Sequence, residues 1–191
     1  MTLRDLTKEI NTPIFSRTDL LKLFPDEPTN QINTQLYRMI KRGELVGIKR
    51  GLYSFPNSKV DEFVLANKIY TPSYVSLESA LNIYGIIPDI VANITSVTPV
   101  TSKRFNTALG TYIYSKINKS LYFGYESVLD NESKLYYNIA SPEKALLDYI
   151  YVRKIKDLKE SRVDTRTLKK KELFIYLSHF PVWVKKVVED A

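Results

Sequence analysis

Apolar residues recur at helical spacing near the start of the chain, with Leu3, Leu6 and Ile10 three and four residues apart. They predict a short helix over residues 1–12 that Pro13 stops. Ile14 and Phe15 predict a short extended segment, after which Ser16 reads as an N-cap with Asp19 three residues on. Leu20, Leu21 and Phe24 give the helix that follows its apolar face, and Pro25 and Pro28 bracket a tight acidic connection. Thr29 is the next N-cap candidate. It opens a helix over residues 30–42 whose stripe is Ile32, Leu36, Met39 and Ile40, with Gly43 at the left-handed stop position. Two apolar runs, Leu45–Ile48 and Leu52–Phe55, flank Lys49-Arg50-Gly51 and predict a hairpin with a three-residue loop. Helix, helix, tight turn, helix and basic-tipped hairpin is the order of a winged helix-turn-helix.

Beyond Pro56-Asn57-Ser58 the pattern changes. A bridging helix is predicted over residues 60–69, ended by Pro72, and a second from Ser76 to Tyr84, stopped by Gly85. Runs rich in β-branched residues and Tyr predict strands at 91–98, 111–117, 121–125 and 135–139, with a turn at 106–110. Ser141-Pro142-Glu143 supplies a cap, a first-position Pro and a first-turn acid for a helix over 142–154. Ala145, Leu146, Tyr149 and Ile150 are its expected buried residues. A polar stretch at 155–165, a helix over 168–177 and a short segment around 183–188 close the chain. The expected fold class is therefore α+β: an N-terminal winged helix-turn-helix over residues 1–58 and a mixed α/β second domain over 59–191.

Charge sharpens this division. The chain carries a formal +7, and its first 60 residues hold ten Lys/Arg against six Asp/Glu. Residues 61–150 hold seven against nine, and residues 151–191 eleven against six. Basic ends attract polyanions, although a solvated basic surface has the same composition. At 100° per residue, the face of the 30–42 helix opposite its apolar stripe carries Asn30, Thr34, Tyr37, Arg38 and Lys41, flanked by Gln31, Gln35 and Arg42. Amides can pair with adenine and Arg with guanine, while hydroxyls and a helix start at Thr29 suit phosphate oxygens. No acid lies between Thr29 and Arg42, and Lys49 and Arg50 tip the adjoining hairpin. Tyr37 is open to a second use, stacking on the hairpin.

Little points to catalysis. There is no Cys and one histidine, His179, read as structural, so no familiar metal cluster or Cys/His pair is expected. The six glycines form no phosphate loop. Glu78, Glu143 and Asp148 are scattered carboxylates, with Glu143 assigned to the helix dipole and Asp148 to the solvent face of the 142–154 helix. No cofactor, metal or catalytic residue is expected. The absence of Cys, of an apolar signal core and of a membrane-length apolar run predicts a cytoplasmic protein with no membrane partner.

Several motifs, in order, resemble the AbiEi family of antitoxins over residues 15–153. They are the Arg50-Gly51-Leu-Tyr53 wing, the stretch from Pro72 to Pro88, Ile94-Thr-Ser-Val-Thr98 with Phe105, Gly110, Tyr112 and Tyr114, and Ser141-Pro-Glu-Lys-Ala-Leu-Leu-Asp148. The resemblance implies the antitoxin half of a bacterial type IV toxin–antitoxin pair linked to abortive phage resistance. Its winged helix would bind inverted repeats upstream of its own operon, with two copies pairing on double-stranded DNA. Its second domain would counter a nucleotidyltransferase-like toxin without a stable complex. The DNA contacts would then be Thr29, Asn30, Gln31, Thr34, Gln35, Arg38, Lys41, Arg42, Lys49 and Arg50. A different reading is a protein-interaction adaptor that holds a toxin or other partner through the Tyr-rich strands between Thr111 and Tyr137.

Overall fold

The computed structural model describes residues 1–89, 91–158 and 161–190. The chain is a mixed α+β protein that divides into two units. The first comprises Met1–Asp61 with Thr107–Leu109 and Asn131–Lys134; the second comprises Glu62–Asn106, Gly110–Asp130 and the chain from Leu135 on. Among the described residues, no helix is long and apolar enough to cross a membrane.

In the first unit, α1 (Leu3–Glu9), β1 (Ile14–Ser16), α2 (Arg17–Leu23), α3 (Thr29–Lys41), β2 (Val46–Lys49) and β3 (Leu52–Ser54) follow one another. α1 closes at Glu9 with Ile10 as its C-cap, short of the expected residue 12, so Pro13 is not what stops it; local chemistry explains the other boundaries. Thr2 with Asp5, and Ser16 with Asp19, form reciprocal capping boxes that satisfy the first amides of α1 and α2. Gly43 (φ +71°) ends α3: its N–H reaches the Ile40 carbonyl (3.0 Å) and the Glu44 N–H reaches that of Met39 (2.9 Å). That is the paired closure a left-handed glycine allows. The start of α3 differs from expectation by one residue. Pro28, not Thr29, takes the cap position, because its carbonyl accepts the N–H groups of Gln31 (2.9 Å) and Ile32 (3.1 Å). The three strands pair antiparallel in the order β1-β3-β2. Leu6, Ile10, Phe15, Leu20, Ile32, Leu36, Met39 and Leu45 form the core beneath them.

The second unit is built on a six-stranded sheet. Its elements are α4 (Glu62–Ile69), β4 (Tyr74–Val75), α5 (Leu77–Ile83), β5 (Ile94–Thr98), β6 (Lys103–Thr107), β7 (Gly110–Lys116), a 3-10 turn (Lys119–Leu121), β8 (Tyr125–Leu129), β9 (Tyr136–Ala140), α6 (Pro142–Arg153), α7 (Lys170–Leu177) and α8 (Val182–Glu189). The strand order is β6-β7-β5-β4-β9-β8, with β5/β7 and β4/β9 parallel and β4/β5 and β8/β9 antiparallel. The predicted strand at 121–125 is instead the end of the 3-10 turn and the approach to β8, while β4, β6 and all of β8 past Tyr125 were not expected. Tyr74 and Val75 make only a two-residue strand, too short to show an alternation. Central β5 is buried at every position, and the hydroxyls of Thr95 and Thr98 are satisfied locally, while that of Ser96 has no partner among the described residues. Thr95 Oγ1 donates to the Ser76 carbonyl (2.8 Å) and accepts from the Ser79 N–H (3.0 Å). Thr98 Oγ1 donates to the Pro72 carbonyl (2.7 Å). Of the polar stretch at 155–165, residues 159 and 160 lie outside the described part.

α6 starts as expected, with Ser141 Oγ accepting the Lys144 N–H (3.3 Å) and Pro142 in the first turn. Ser141→Ala is expected to lower the stability of this unit by about 1 kcal/mol, the usual worth of such a cap, measurable as a shifted urea midpoint with an unchanged slope.

Candidate nucleic-acid interface

α3 buries Ile32, Leu36 and Met39 and turns a continuous polar face outward. Thr29, Asn30, Gln31, Asn33, Thr34, Tyr37, Arg38 and Lys41 are all exposed. The start of the helix carries neither a side-chain cap nor an acid in its first turn, leaving the positive end of its dipole uncompensated. Two side chains on this face are pre-ordered. Thr34 Oγ1 donates to the Asn30 carbonyl (2.9 Å), so its hydroxyl offers only its acceptor side outward. Lys41 Nζ lies 5.1 Å from the centre of the Tyr37 ring, one helical turn away. Tyr37 is 59% exposed and therefore stands out from the helix.

The remaining predicted contacts are less equivalent than their sequence positions suggest. Gln35 is half-buried and turns its amide nitrogen to the Met1 carbonyl (3.0 Å) and Glu27 Oε2 (3.1 Å). The Arg42 guanidinium is gripped by Glu44 through two hydrogen bonds of 2.9 Å each. Ile40, expected in the apolar stripe, is 37% exposed and leans over Gly47, with its Cδ1 3.5 Å from where a Cβ would stand. In the hairpin the turn itself is Arg50-Gly51, two residues instead of three, because a β-bulge between Gly47 and Lys49 carries Lys49 into the strand. Gly51 supplies the left-handed residue at φ +82°. Lys49 is consequently half-buried, and burial holds its ammonium below the usual lysine range. Arg50 is exposed at the tip. Asn33, which sequence reasoning passed over, is exposed on the flank of α3.

The second unit holds a different kind of polar cluster. Asp148, expected on a solvent face, is fully buried, as is Lys144 one turn before it, and the two form an ion pair. Lys144 Nζ also donates to the Tyr74 hydroxyl (2.8 Å), while Tyr74 OH and Ser76 Oγ each donate to Asp148 Oδ2 (2.9 Å). The rings of Tyr74, Phe123 and Phe180 lie 5.3–5.4 Å from the ammonium. Burial pushes the Asp148 carboxyl up and the Lys144 ammonium down, each opposed by its partner's charge. The expectation failed because α6 is buried on nearly all sides, at Glu143, Lys144, Ala145, Leu146, Leu147, Asp148 and Ile150. Such a helix has no polar face to read. Tyr149, expected inside, is only half-buried.

Glu143 and Glu78 also have internal partners. Glu143, in the first turn of α6 as expected, also accepts the Lys169 N–H at Oε1 (2.8 Å) ahead of α7, and Glu78 clamps Arg153 at 2.6 and 2.8 Å. Gly124 seals the cluster: it sits at φ +70°, and an added Cβ would meet the Lys144 stem at 3.1 Å. Gly124→Ala is expected to destabilise the unit by about 1–2 kcal/mol from the backbone alone, read as a lower thermal midpoint.

Most tyrosines of the second unit are spent on packing. Tyr112 and Tyr114 are 1% exposed, and Tyr74, Tyr122 and Tyr125 cluster with ring centres 4.7–5.2 Å apart. Tyr136 stands 61% exposed. The His179 ring rests against Phe123 at 4.9 Å.

No family model matches the chain, and no curated protein matches it. Among solved structures it is similar to the crystal structure of the Rv2827c protein from Mycobacterium tuberculosis. The two share 14% identity over 95% of this chain and 71% of that one, with a TM-score of 0.56, a likeness of fold.

Proposed function

We propose that the first unit is a winged helix-turn-helix that binds duplex DNA, and that the protein is a cytoplasmic transcriptional repressor. The observation that carries this reading is the outer face of α3, exposed along its length and free of acids from Thr29 to Arg42. A helix that only faces solvent ordinarily mixes both signs; one that approaches phosphates gains from their absence. The element order α1-β1-α2-α3-β2-β3 and the sheet order β1-β3-β2 support it, with α2 and α3 as the helix pair and β2-β3 as the wing. Asn30, Gln31 and Arg38 are assigned to base edges. Thr29, Lys41 and Arg50 are assigned to phosphates, and Thr34, whose proton is taken by the Asn30 carbonyl, to accepting from a base amine. Lys49 adds a weaker electrostatic contribution, and Gln35 and Arg42 act at the margin.

The motif resemblance to AbiEi antitoxins supports the biological half of the proposal. On that reading the protein represses its own operon at inverted repeats, and its second unit counters a nucleotidyltransferase-like toxin. The test is binding of the full chain to the DNA upstream of its gene and to a random duplex of equal length, over a salt series. Preference for the upstream fragment is expected, with log affinity falling against log salt by about 0.9 per phosphate contact. Equal affinity for both duplexes, or affinity indifferent to salt, would overturn it.

A further inference from the structure

The second unit carries a basic, aromatic-edged cavity apart from α3. It is an open depression of about 420 Å³ lined by Pro99, Lys116, Ile117, Asn118, Lys119 and Tyr151, with no acid among them. It lies just past the carboxyl ends of β5 and β7, which run parallel and side by side.

Next to Tyr151 stand a third lysine and a second ring. Lys154, which ends α6 in the left-handed conformation, places its Nζ 4.9 Å from the Tyr151 ring centre and 5.0 Å from that of Trp183. Those two rings stack with an interplanar angle of 19° and centres 6.0 Å apart. Both are half-exposed. Lys116, Lys119 and Lys154 are exposed, and among the described residues none of the three is in an ion pair. Two exposed lysines on the lining, beside a tyrosine that stacks on a tryptophan, suit a ligand that joins a phosphate to a flat base.

We propose that this cavity binds a nucleotide, either free or as a unit of a single strand, with phosphate on Lys116 and Lys119 and the base against the Tyr151–Trp183 pair. The site stands independently of the duplex-binding reading, since it shares no residue with it.

Trp183 is the sole tryptophan of the chain, so its fluorescence reports on this site alone. The full chain would be titrated with uridine monophosphate and, separately, with a single-stranded oligouridylate. Saturable quenching by the strand or by both is expected. Quenching by both identifies one nucleotide as sufficient; quenching by the strand alone identifies the strand as the ligand. Lys116→Gln/Lys119→Gln/Lys154→Gln should weaken the response by roughly tenfold or more and flatten the salt dependence of strand binding by about 0.7 per lost contact. Lys119→Gln alone, an exposed change, should do so in part. Trp183→Phe should keep binding of a labelled strand while losing the signal. Arg38→Ala should leave the quenching unchanged. Absence of quenching by either ligand, or quenching that survives the triple substitution, would overturn the proposal.

Discussion

Lys144→Met is expected to lower the stability of the second unit by about 3–5 kcal/mol, because it strands the Asp148 carboxylate in the interior with its opposite charge removed. Asp148 is wholly buried, and the Tyr74 and Ser76 hydroxyls left beside it solvate a charge without neutralising it. Asp148→Leu should have a similar effect by isolating the ammonium among the rings of Tyr74, Phe123 and Phe180. The decisive comparison is the double substitution, Lys144→Met with Asp148→Leu. Replacing a buried pair by apolar side chains of similar volume is often neutral or stabilising by about 1–4 kcal/mol, so the double variant should recover most of what either single loses. Urea unfolding followed by near-ultraviolet dichroism measures all three. If Lys144→Met leaves the midpoint unchanged, the pair is not ionic in the folded protein. Full recovery in the double variant would also show that these charges select the packing of α6 against β4 more than they stabilise it.

Arg38→Ala is expected to weaken binding to the upstream DNA by about 1–3 kcal/mol while changing affinity for random duplex far less. That is up to about a hundredfold in the dissociation constant. Arg38 is exposed on the outer face of α3, with the length and the two-pronged head that base recognition demands. Lys41→Ala and Arg50→Ala should instead weaken both duplexes alike and reduce the salt slope by about one each, as loss of a phosphate contact does. Two positions should depart from the ranking that charge alone suggests. Arg42→Ala should have little effect, since Glu44 already occupies its guanidinium. Lys49→Ala should matter less than Arg50→Ala, since the bulge draws Lys49 partly inside.

Contiguous residues were enough to announce the helices of the first unit and most outward side chains of α3, though α1 ends three residues early and α3 starts one residue early. The Ser16/Asp19 box, the Ser141-Pro142-Glu143 start and Gly43 each act within a turn of where they stand. The amide-rich face of α3 follows from one helical period. These signals survive without tertiary context because the groups they satisfy are their immediate neighbours. The candidate interface was thus largely legible, and its internal ranking was not. That ranking depends on a bulge in β2 and on Gln35 and Arg42 finding partners across the fold or the helix end.

The second unit depended more on the tertiary structure. Its strand order interleaves parallel and antiparallel neighbours, and the pairing of Val75 with Ile139 spans a chain separation over which no local pattern operates. The Asp148 carboxylate receives hydroxyls from residues 72 and 74 positions away. A charge enters a core only when those distant groups are already in place to receive it, so its location is a property of the packed fold and not of its own helix. What the sequence by itself determined was the local elements and the polar surface of α3; the sheet, the buried charges and the cavity beside Tyr151 arose only where remote segments met, because long-range contact is what creates an interior and sets its polarity.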